Sequence, residues 1–518
     1  MTYKNINLFI GVDFGGTSLK SILYNRNGDA LATGYAVVPR ISVHPGWQDL
    51  DMIAVWEAAK QTLRDIVAQS GDLANNIRAI GLTGAGFGAW LIDEEGHPVR
   101  PGIPWTDNRA EDILAEWQAK GIADRYFAIT GSGLIKTTTA VLVKWLSIHE
   151  PESLKKARYA LMAQEWIHYK LSNDVRTDAT GASINVGDIR TNEYSEELLD
   201  LMGISEYKYL FPPIRSSFEA TGLIVPKVAK EIGLPLTVKI NNAPTDITSC
   251  SVGVGNIKDG DVSTNMGTAL GNLFVTEELH LERFVNAQNC AVGTPQVTYV
   301  HSVIPNFAAP NQEWFINNFC GEDRINSAEE NLDVFSYLAK KVAEIPVGSD
   351  GLLYNPLICA FGQSLPFMHR TDSSYFIGIN QLHTRFHLLR AVYEGVALAA
   401  RRTYENSGLR PKVATLSGGG ARSDLWCQIF SDVLGIPTRV PSDEEWGAKG
   451  AAISAAYAAG YFAEYSQAVS GMVHYTRHFE PNELNHQKYN KIYELFKEVY
   501  ESLIPIWDKL DNLKKHIS

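Results

Sequence analysis

Two stretches of this chain share one pattern, a strand-length run, a glycine-threonine tip and a second such run, and that pattern restricts the fold more than any other feature. The first is Asp13-Phe14-Gly15-Gly16-Thr17-Ser18-Leu19-Lys20, set between the runs 6–12 and 21–24. Runs of that length around paired glycines predict a β-hairpin whose tip is bare backbone. The second stretch places Gly267-Thr268 between Val262–Met266 and Ala269–Asn272. One copy in each half of the chain predicts a duplicated α/β architecture.

A tip without Cβ atoms lets a phosphate come close, with N–H groups and a Thr hydroxyl donating to its oxygens. Asp13 beside such an anion makes electrostatic sense with Mg2+ between them. Lys20 can face either way. An ordinary glycine turn would read the same, and neither of the commoner phosphate motifs, G-x-G-x-x-G and G-x-x-x-x-G-K-[ST], occurs. The run Gly131 to Thr137 approaches the second of these, but Ile135 stands where glycine is required.

A length of 518 residues exceeds what one core usually supports, so two large domains are expected. A net charge of -12 suits an enzyme of small molecules better than a nucleic-acid binder. Cys250, Cys290, Cys320, Cys359 and Cys427 never fall in C-x-x-C spacing, which suggests neither a disulfide framework nor a zinc knuckle. With no apolar run of membrane-spanning length and no leader pattern, a cytoplasmic protein without nucleic-acid or membrane partners is expected.

Along the chain, Ala30 to Val38 reads as a third strand, and Trp47 to Ser70 as a helix with Ile53, Trp56, Ala59, Leu63 and Ile66 on one face. Ile77 to Thr83 reads as a buried strand that ends in the loop 84–88. Loops at strand ends collect ligands in open α/β sheets, which makes Gly86 and Phe87 candidates for substrate contact. The loop at 104–109 offers Asp107 and Arg109, groups that suit a polyhydroxylated ligand, although a capping Asp with a surface Arg reads equally well. Gln164-Glu165-Trp166 is a polar and aromatic cluster within a helix; Trp166 is the kind of residue most often found in a core.

Asp246 stands between a strand at 237–241 and a small-residue helix, where a helix N-terminus would hold it ionised. Capping is its simplest role and does not exclude another. His383 and His387 have the i, i+4 spacing of metal ligands but lack an H-E-x-x-H core, so the start of a long helix running to about 402 is expected there. The sequence 417–421 is a glycine turn between a strand and a helix, and 446–452 opens a helix of small residues.

In this order, these motifs resemble those of the FGGY family of carbohydrate kinases, with Ser374 to Glu394 as the most specific match. The resemblance implies the two-domain actin/hexokinase/Hsp70-like (ribonuclease H-like) ATPase fold, with a duplicated core and an inter-domain cleft. It implies a first domain over 1–247, a second over 248–475 and a docking helical tail over 476–518. ATP and Mg2+ are the implied cofactors, a small sugar or polyol the implied substrate, and a homodimer the implied assembly.

Carried over residue by residue, Asp246 becomes the catalytic base and Asp13 the metal-facing carboxylate. Gly15, Gly16, Thr17, Ser18 and Lys20, with Gly267 and Thr268, become phosphate contacts. Gly419, Gly420, Ala421 and Asp424 flank the nucleoside, and Gly86, Phe87, Asp107, Arg109, Glu165 and Trp166 join Asp246 around the sugar. Ile247 follows the base where many members have Asn or Gln, and Ala85-Gly86-Phe87 stands where many xylulokinases have Gln-Met-His. Those departures argue against D-xylulose and glycerol. Strings such as Glu313-Trp314-Phe315 and Tyr393-Glu394-Gly395 are similar to the L-xylulose (3-keto-L-gulonate) kinase branch, and other polyol kinases share text around Ala89 to Asp93. A non-catalytic sensor of this fold would be expected to lose the base or a phosphate loop, and both are kept.

Overall fold

A computed structural model describes residues 6–42, 44–219, 222–284, 288–291, 298–304, 307–358 and 372–517. Cys359 and the side chain of Cys290 lie outside the described residues; Cys250, Cys320 and Cys427 carry free thiols.

The first large sheet contains β1 (Leu8–Phe14), β2 (Ser18–Tyr24), β3 (Ala30–Val37), β4 (Ile77–Gly84) and β5 (Lys239–Asn242), in the order β5-β4-β1-β2-β3. The expected hairpin is present, with Asp13 opposite Lys20 and Phe14 opposite Leu19. β3 continues the meander antiparallel to β2, while β4 and β5 add in parallel on the other side.

The second sheet repeats this plan. β6 (Val262–Met266) and β7 (Leu270–Thr276) form its glycine-tipped hairpin, and β9 (Tyr299–Val303) pairs antiparallel with β7. β10 (Ala414–Ser417) and β11 (Thr438–Pro441) add in parallel beside β6. The edge strands β8 (Gln288–Ala291) and β12 (Tyr475–Phe479) complete the order β8-β9-β7-β6-β10-β11-β12. The duplication expected from two tips is therefore a duplication of five strands.

Helix α1 (Met52–Ser70) starts later than expected, because the Asp51 carboxylate accepts the N–H groups of Ile53 and Ala54 at 2.8 and 3.2 Å and ends the preceding chain there. Ile53 consequently faces solvent, and Met52 and Val55 join Trp56, Ala59, Leu63 and Ile66 in the first core. The other helices that shape the site are α2 (Ala163–Ser172), α3 (Ala179–Ser183), α4 (Asp246–Gly253), α5 (Arg385–Ser407), α6 (Asp424–Leu434), α7 (Trp446–Ala458) and α8 (Glu483–Ile517).

α4 follows β5 and α7 follows β11, so they are equivalent elements of the two repeats. Each crosses to the other half. Ile247 and Cys250 of α4 pack on Leu273, Val275 and Val300 of the second sheet. Ala448, Ala452 and Ala455 of α7 pack with Phe9, Ile22 and Ala79 of the first. The boundary expected after residue 247 falls inside α4. The small residues of α7 exist for this contact: a Cβ on Gly11 or Gly81 would overlap the carbonyls of Ala448 or Ala451, and one on Gly450 would overlap that of Ser249 in α4. The tail helix α8 buries Tyr489, Tyr493 and Phe496 in the second core.

Gly81→Val should lower the melting temperature, since overpacking costs ~1–3 kcal/mol. Gly321→Ala, where an added Cβ meets nothing within 4 Å, should leave it unchanged. Thermal unfolding of both variants checks the contact; equal melting temperatures would contradict it.

Candidate active site

Gly15-Gly16-Thr17 forms the tip of the first hairpin. Gly16 has φ of +94°, a conformation that a side chain would strain, and a Cβ there would stand 2.8 Å from Trp105 Nε1. The indole N–H of Trp105 donates to the Gly15 carbonyl at 3.2 Å, and Val38 N–H donates to the Thr17 carbonyl at 2.9 Å. With its carbonyls held from behind, the tip leaves Thr17 exposed and the space beside Gly15 open. Lys20, one strand over from Asp13, is half-exposed and pairs with both Glu445 oxygens at 2.7 and 2.9 Å. That ion pair ties the first hairpin to the turn before α7.

The second tip is held in the same manner, Ala308 and Ala309 donating to the carbonyls of Thr268 and Gly267 at 3.2 and 2.9 Å. It lies against the glycine turn 418–420: Gly418 has φ of +86°, and a Cβ there would stand 2.6 Å from the Gly267 nitrogen. Beyond this turn opens a cavity of about 590 Å³ whose lining includes Gly419, Gly420, Asp424, Gln312, Glu313 and Ser336. Asp424 heads α6 and pairs with Arg477 at 2.6 Å. Ala421 does not line the cavity. It is buried behind the turn, its carbonyl accepting from Arg477 at 2.6 Å, because the glycine run closes into a helical turn (Gly419–Arg422) rather than staying extended.

Asp246 opens α4 and accepts the N–H of Ile247 at 2.7 Å. The helix terminus does not hold it as strongly ionised as expected. Burial outweighs that one backbone hydrogen bond and pushes its carboxyl up to about 6. Asp13 goes further, to about 7, driven first by burial, then by the negative charges of Asp246 and Glu445, with Lys20 opposing. Its Oδ1 is enclosed and has no hydrogen-bond partner among the described residues. An orphaned carboxylate oxygen beside a bare-backbone tip fits a divalent cation next to phosphate. Gln164, both of whose amide atoms lack partners, lies over Gly84, and Asn242, equally unpartnered, ends β5. Thr245 Oγ1 is unpartnered as well. Each of these groups is left able to bond a ligand or water.

Four expected substrate contacts are placed differently. Asp107 and Arg109 are buried in a network: Arg109 bonds Asp107 at 2.9 Å and Asp49 at 2.7 Å, and its guanidinium lies over the rings of Trp47 and Trp145. Both charges are neutralised below the loop that carries Trp105, so neither residue is free for a sugar. Trp166 is core, its indole N–H donating to Met52. Glu165 turns back to accept the Met162 N–H at 2.8 Å as part of the helix cap, and burial pushes its carboxyl up to about 8. Of that group Gln164 has both amide atoms without partners among the described residues, and Glu165 keeps one carboxylate oxygen, Oε1, unpartnered. Phe87, at φ of +72°, shares a small recess with Gly16, Ala85, Trp90 and Trp105, although it also packs on Met162 and Ile184. Gly86 does not line that recess, and a Cβ on it would overlap the Ile184 side chain.

Sequence reasoning missed Gln164, Asn242, Trp105 and Glu445. Gln164 and Trp105 sit beside residues that were singled out, and Glu445 acts only through a fold that brings α7 against β1. His383 and His387 head α5 and are occupied there: the Nδ1 of each accepts a backbone N–H, from Asn380 at 3.0 Å and Thr384 at 3.2 Å. Among the described residues they complete no three-ligand cluster.

A duplicated sheet, one glycine tip per half, a cavity of about 590 Å³ beyond the second tip and a half-buried Asp at a helix start are the features of a phosphotransferase of the actin and hexokinase fold class. The chain matches the FGGY family of carbohydrate kinases, N-terminal domain over residues 8–253 and C-terminal domain over 262–459, and it belongs to that family. It is similar to the L-xylulose/3-keto-L-gulonate kinase of Escherichia coli, 28% identical over 512 residues that cover 96% of this chain and 97% of that one. A probable L-xylulose kinase of Haemophilus influenzae is 26% identical, with 96% and 99% covered. Among solved structures, the ligand-bound xylulose kinase of Lactobacillus acidophilus shares the fold, with a TM-score of 0.84 at 21% identity over 97% of this chain and all of that one. The protein is a carbohydrate kinase, transferring a phosphoryl group to a hydroxyl.

The raised Asp13 value has a definite sign. Folded Asp13 keeps a proton up to about pH 7, whereas an unfolded Asp releases it near pH 4, so stability falls as pH rises across that window. Asp13→Asn should raise the melting temperature of the ligand-free protein above pH 7, with the gain vanishing toward pH 4. Melting curves across that range check it; a gain independent of pH would contradict it.

Proposed function

We propose that this kinase phosphorylates a hydroxyl of a ketopentose or a related open-chain sugar or polyol, with L-xylulose as the best single choice, ATP as donor and Asp246 as general base. The observation that carries the reading is Asp246 itself. It is a half-buried carboxylate with one backbone partner, a value near 6, and unpartnered Asn242 and Thr245 beside it in the chain. A base of that value is mostly ionised at neutral pH yet basic enough to accept a hydroxyl proton as the oxygen attacks.

The remaining groups align and neutralise, which is most of what phosphoryl transfer asks of a protein. Thr17 with Gly15, Gly16 and Ser18, and Thr268 with Gly267, would hold the ATP phosphates through N–H and hydroxyl donors. Gly419, Gly420 and Asp424 would border the nucleoside in the 590 Å³ cavity. Lys20 is held by Glu445, so its charge is shared with that carboxylate before any phosphate arrives. Asp13 would hold Mg2+ through its free oxygen; bound there, the ion offsets phosphate charge.

Substrate choice rests on what the recess lacks. Phe87 presents a ring where a polar side chain would bond a sugar hydroxyl, and Ile247, next to the base, packs on the second sheet rather than toward a ligand. Gln164, Asn242 and Trp105 are left to meet the substrate, two amides and an aromatic edge. The likeness to two L-xylulose kinases supports the same choice.

An ADP-release assay with Mg-ATP against L-xylulose, 3-keto-L-gulonate, D-xylulose, erythritol, gluconate and glycerol tests the reading. L-xylulose is expected to respond most strongly, and turnover of glycerol or D-xylulose in its place would overturn the substrate choice. Asp246→Asn should fold and bind ATP but lose ~10²-fold to ~10⁴-fold in turnover. Undiminished turnover would remove Asp246 from the mechanism.

A further inference from the structure

We propose that Asp178 and Thr180 are positioning residues for the base, acting through a buried chain of hydrogen bonds that ends on the peptide immediately before Asp246. The inference rests on the reading of Asp246 as the base.

The chain can be followed atom by atom. Asp178 precedes α3, and its Oδ1 accepts the Gly181 N–H at 2.9 Å. The Thr180 hydroxyl donates to the same oxygen at 2.9 Å, and the Ser217 hydroxyl donates to Oδ2 at 2.8 Å. Burial pushes the Asp178 carboxyl up and these hydrogen bonds oppose that rise. Because a carboxylate only accepts, the Thr180 hydroxyl proton points at Asp178 and its oxygen is left as an acceptor. That acceptor takes the Thr245 N–H at 2.9 Å. Ser217 is itself anchored to the end of β5, its carbonyl accepting from Asn241 at 2.8 Å.

The loop from β5 to α4 is held at each of its residues. Its three residues are Ala243, Pro244 and Thr245. Ala243 N–H bonds the Leu82 carbonyl at 2.9 Å and so continues the sheet. Pro244 has no N–H; its carbonyl accepts from Thr83 and Ser249, both at 2.7 Å. Thr180 therefore supplies the acceptor for the last free donor ahead of the base. Without it, a buried N–H is orphaned one residue from Asp246, and the loop must move to satisfy it. Strand β8 of the second sheet lies against α3, so this relay sits where the two halves of the chain meet.

Thr180→Val keeps the shape of the side chain and removes both hydrogen bonds. With Mg-ATP and the fastest acceptor of the panel, L-xylulose being expected, kcat should fall ~10-fold to ~100-fold while the KM for Mg-ATP stays within ~2-fold. Thr180→Ser, which restores the hydroxyl, should recover most of the loss. A residue with only a structural role would lower the melting temperature and leave kcat of the folded fraction unchanged. Should Thr180→Val fail to fold, Ser217→Ala removes one donor from Asp178 and should lower kcat several-fold with the same unchanged KM. Normal kcat in these variants, with Asp246→Asn inactive, overturns the relay alone; an active Asp246→Asn overturns the base and the relay together.

Discussion

The backbone-on-backbone contact of α7 with the first sheet is the constraint on which the rest of the site depends. β1 and β4 approach the carbonyls of Ala448 and Ala451 closely enough that Gly11 and Gly81 admit no side chain. α4 makes the reciprocal crossing to the second sheet. Two consequences follow from one arrangement. The turn before α7 brings Glu445 to Lys20 and Asp13, and the start of α4 brings Asp246 to the same place. A looser packing of either helix would separate the first phosphate tip from the base.

That convergence is electrostatically unfavourable in the ligand-free protein. Burial raises Asp13 well above an ordinary Asp, the nearby carboxylates Asp246 and Glu445 raise it further, and Lys20 opposes. Gln164, Asn242 and Thr245 add buried polar atoms without partners. Such groups cost stability unless something bonds them, and they cluster where substrate, phosphate and a divalent ion would be gathered. The 590 Å³ cavity beside Gly419 and Gly420 stands at the other tip, in the second half of the chain. Bringing the two tips onto one triphosphate would offset the carboxylate charge and exclude water together.

Much of the fold was legible in the sequence because its signals are local. Glycine between strand-length runs marked both hairpins, and their repetition marked the duplicated core. The crossing of α4 and α7 was not legible, since the run at 446–452 shows only that something packs closely, not which sheet. The same limit explains the substrate residues. Asp107 and Arg109 carry the right groups for a sugar, yet Asp49, from a distant segment, and the rings of Trp47 and Trp145 consume them. Glu165 and Gln164 are adjacent in sequence, but helix geometry sends one to the cap and leaves the other over Gly84. Asp246 was legible as a residue and not in its electrostatics: position at a helix start suggested easy ionisation, and burial, which sequence does not show, moved it the other way.

The most direct test of this account is a crystal structure of the protein with Mg2+ and a non-hydrolysable ATP analogue. The account predicts the phosphates between the tips at Gly15 to Thr17 and Gly267 to Thr268, the metal on the Asp13 side, and the nucleoside against Gly419 and Gly420. Phosphates bound away from either tip, or a nucleoside outside that cavity, would contradict it.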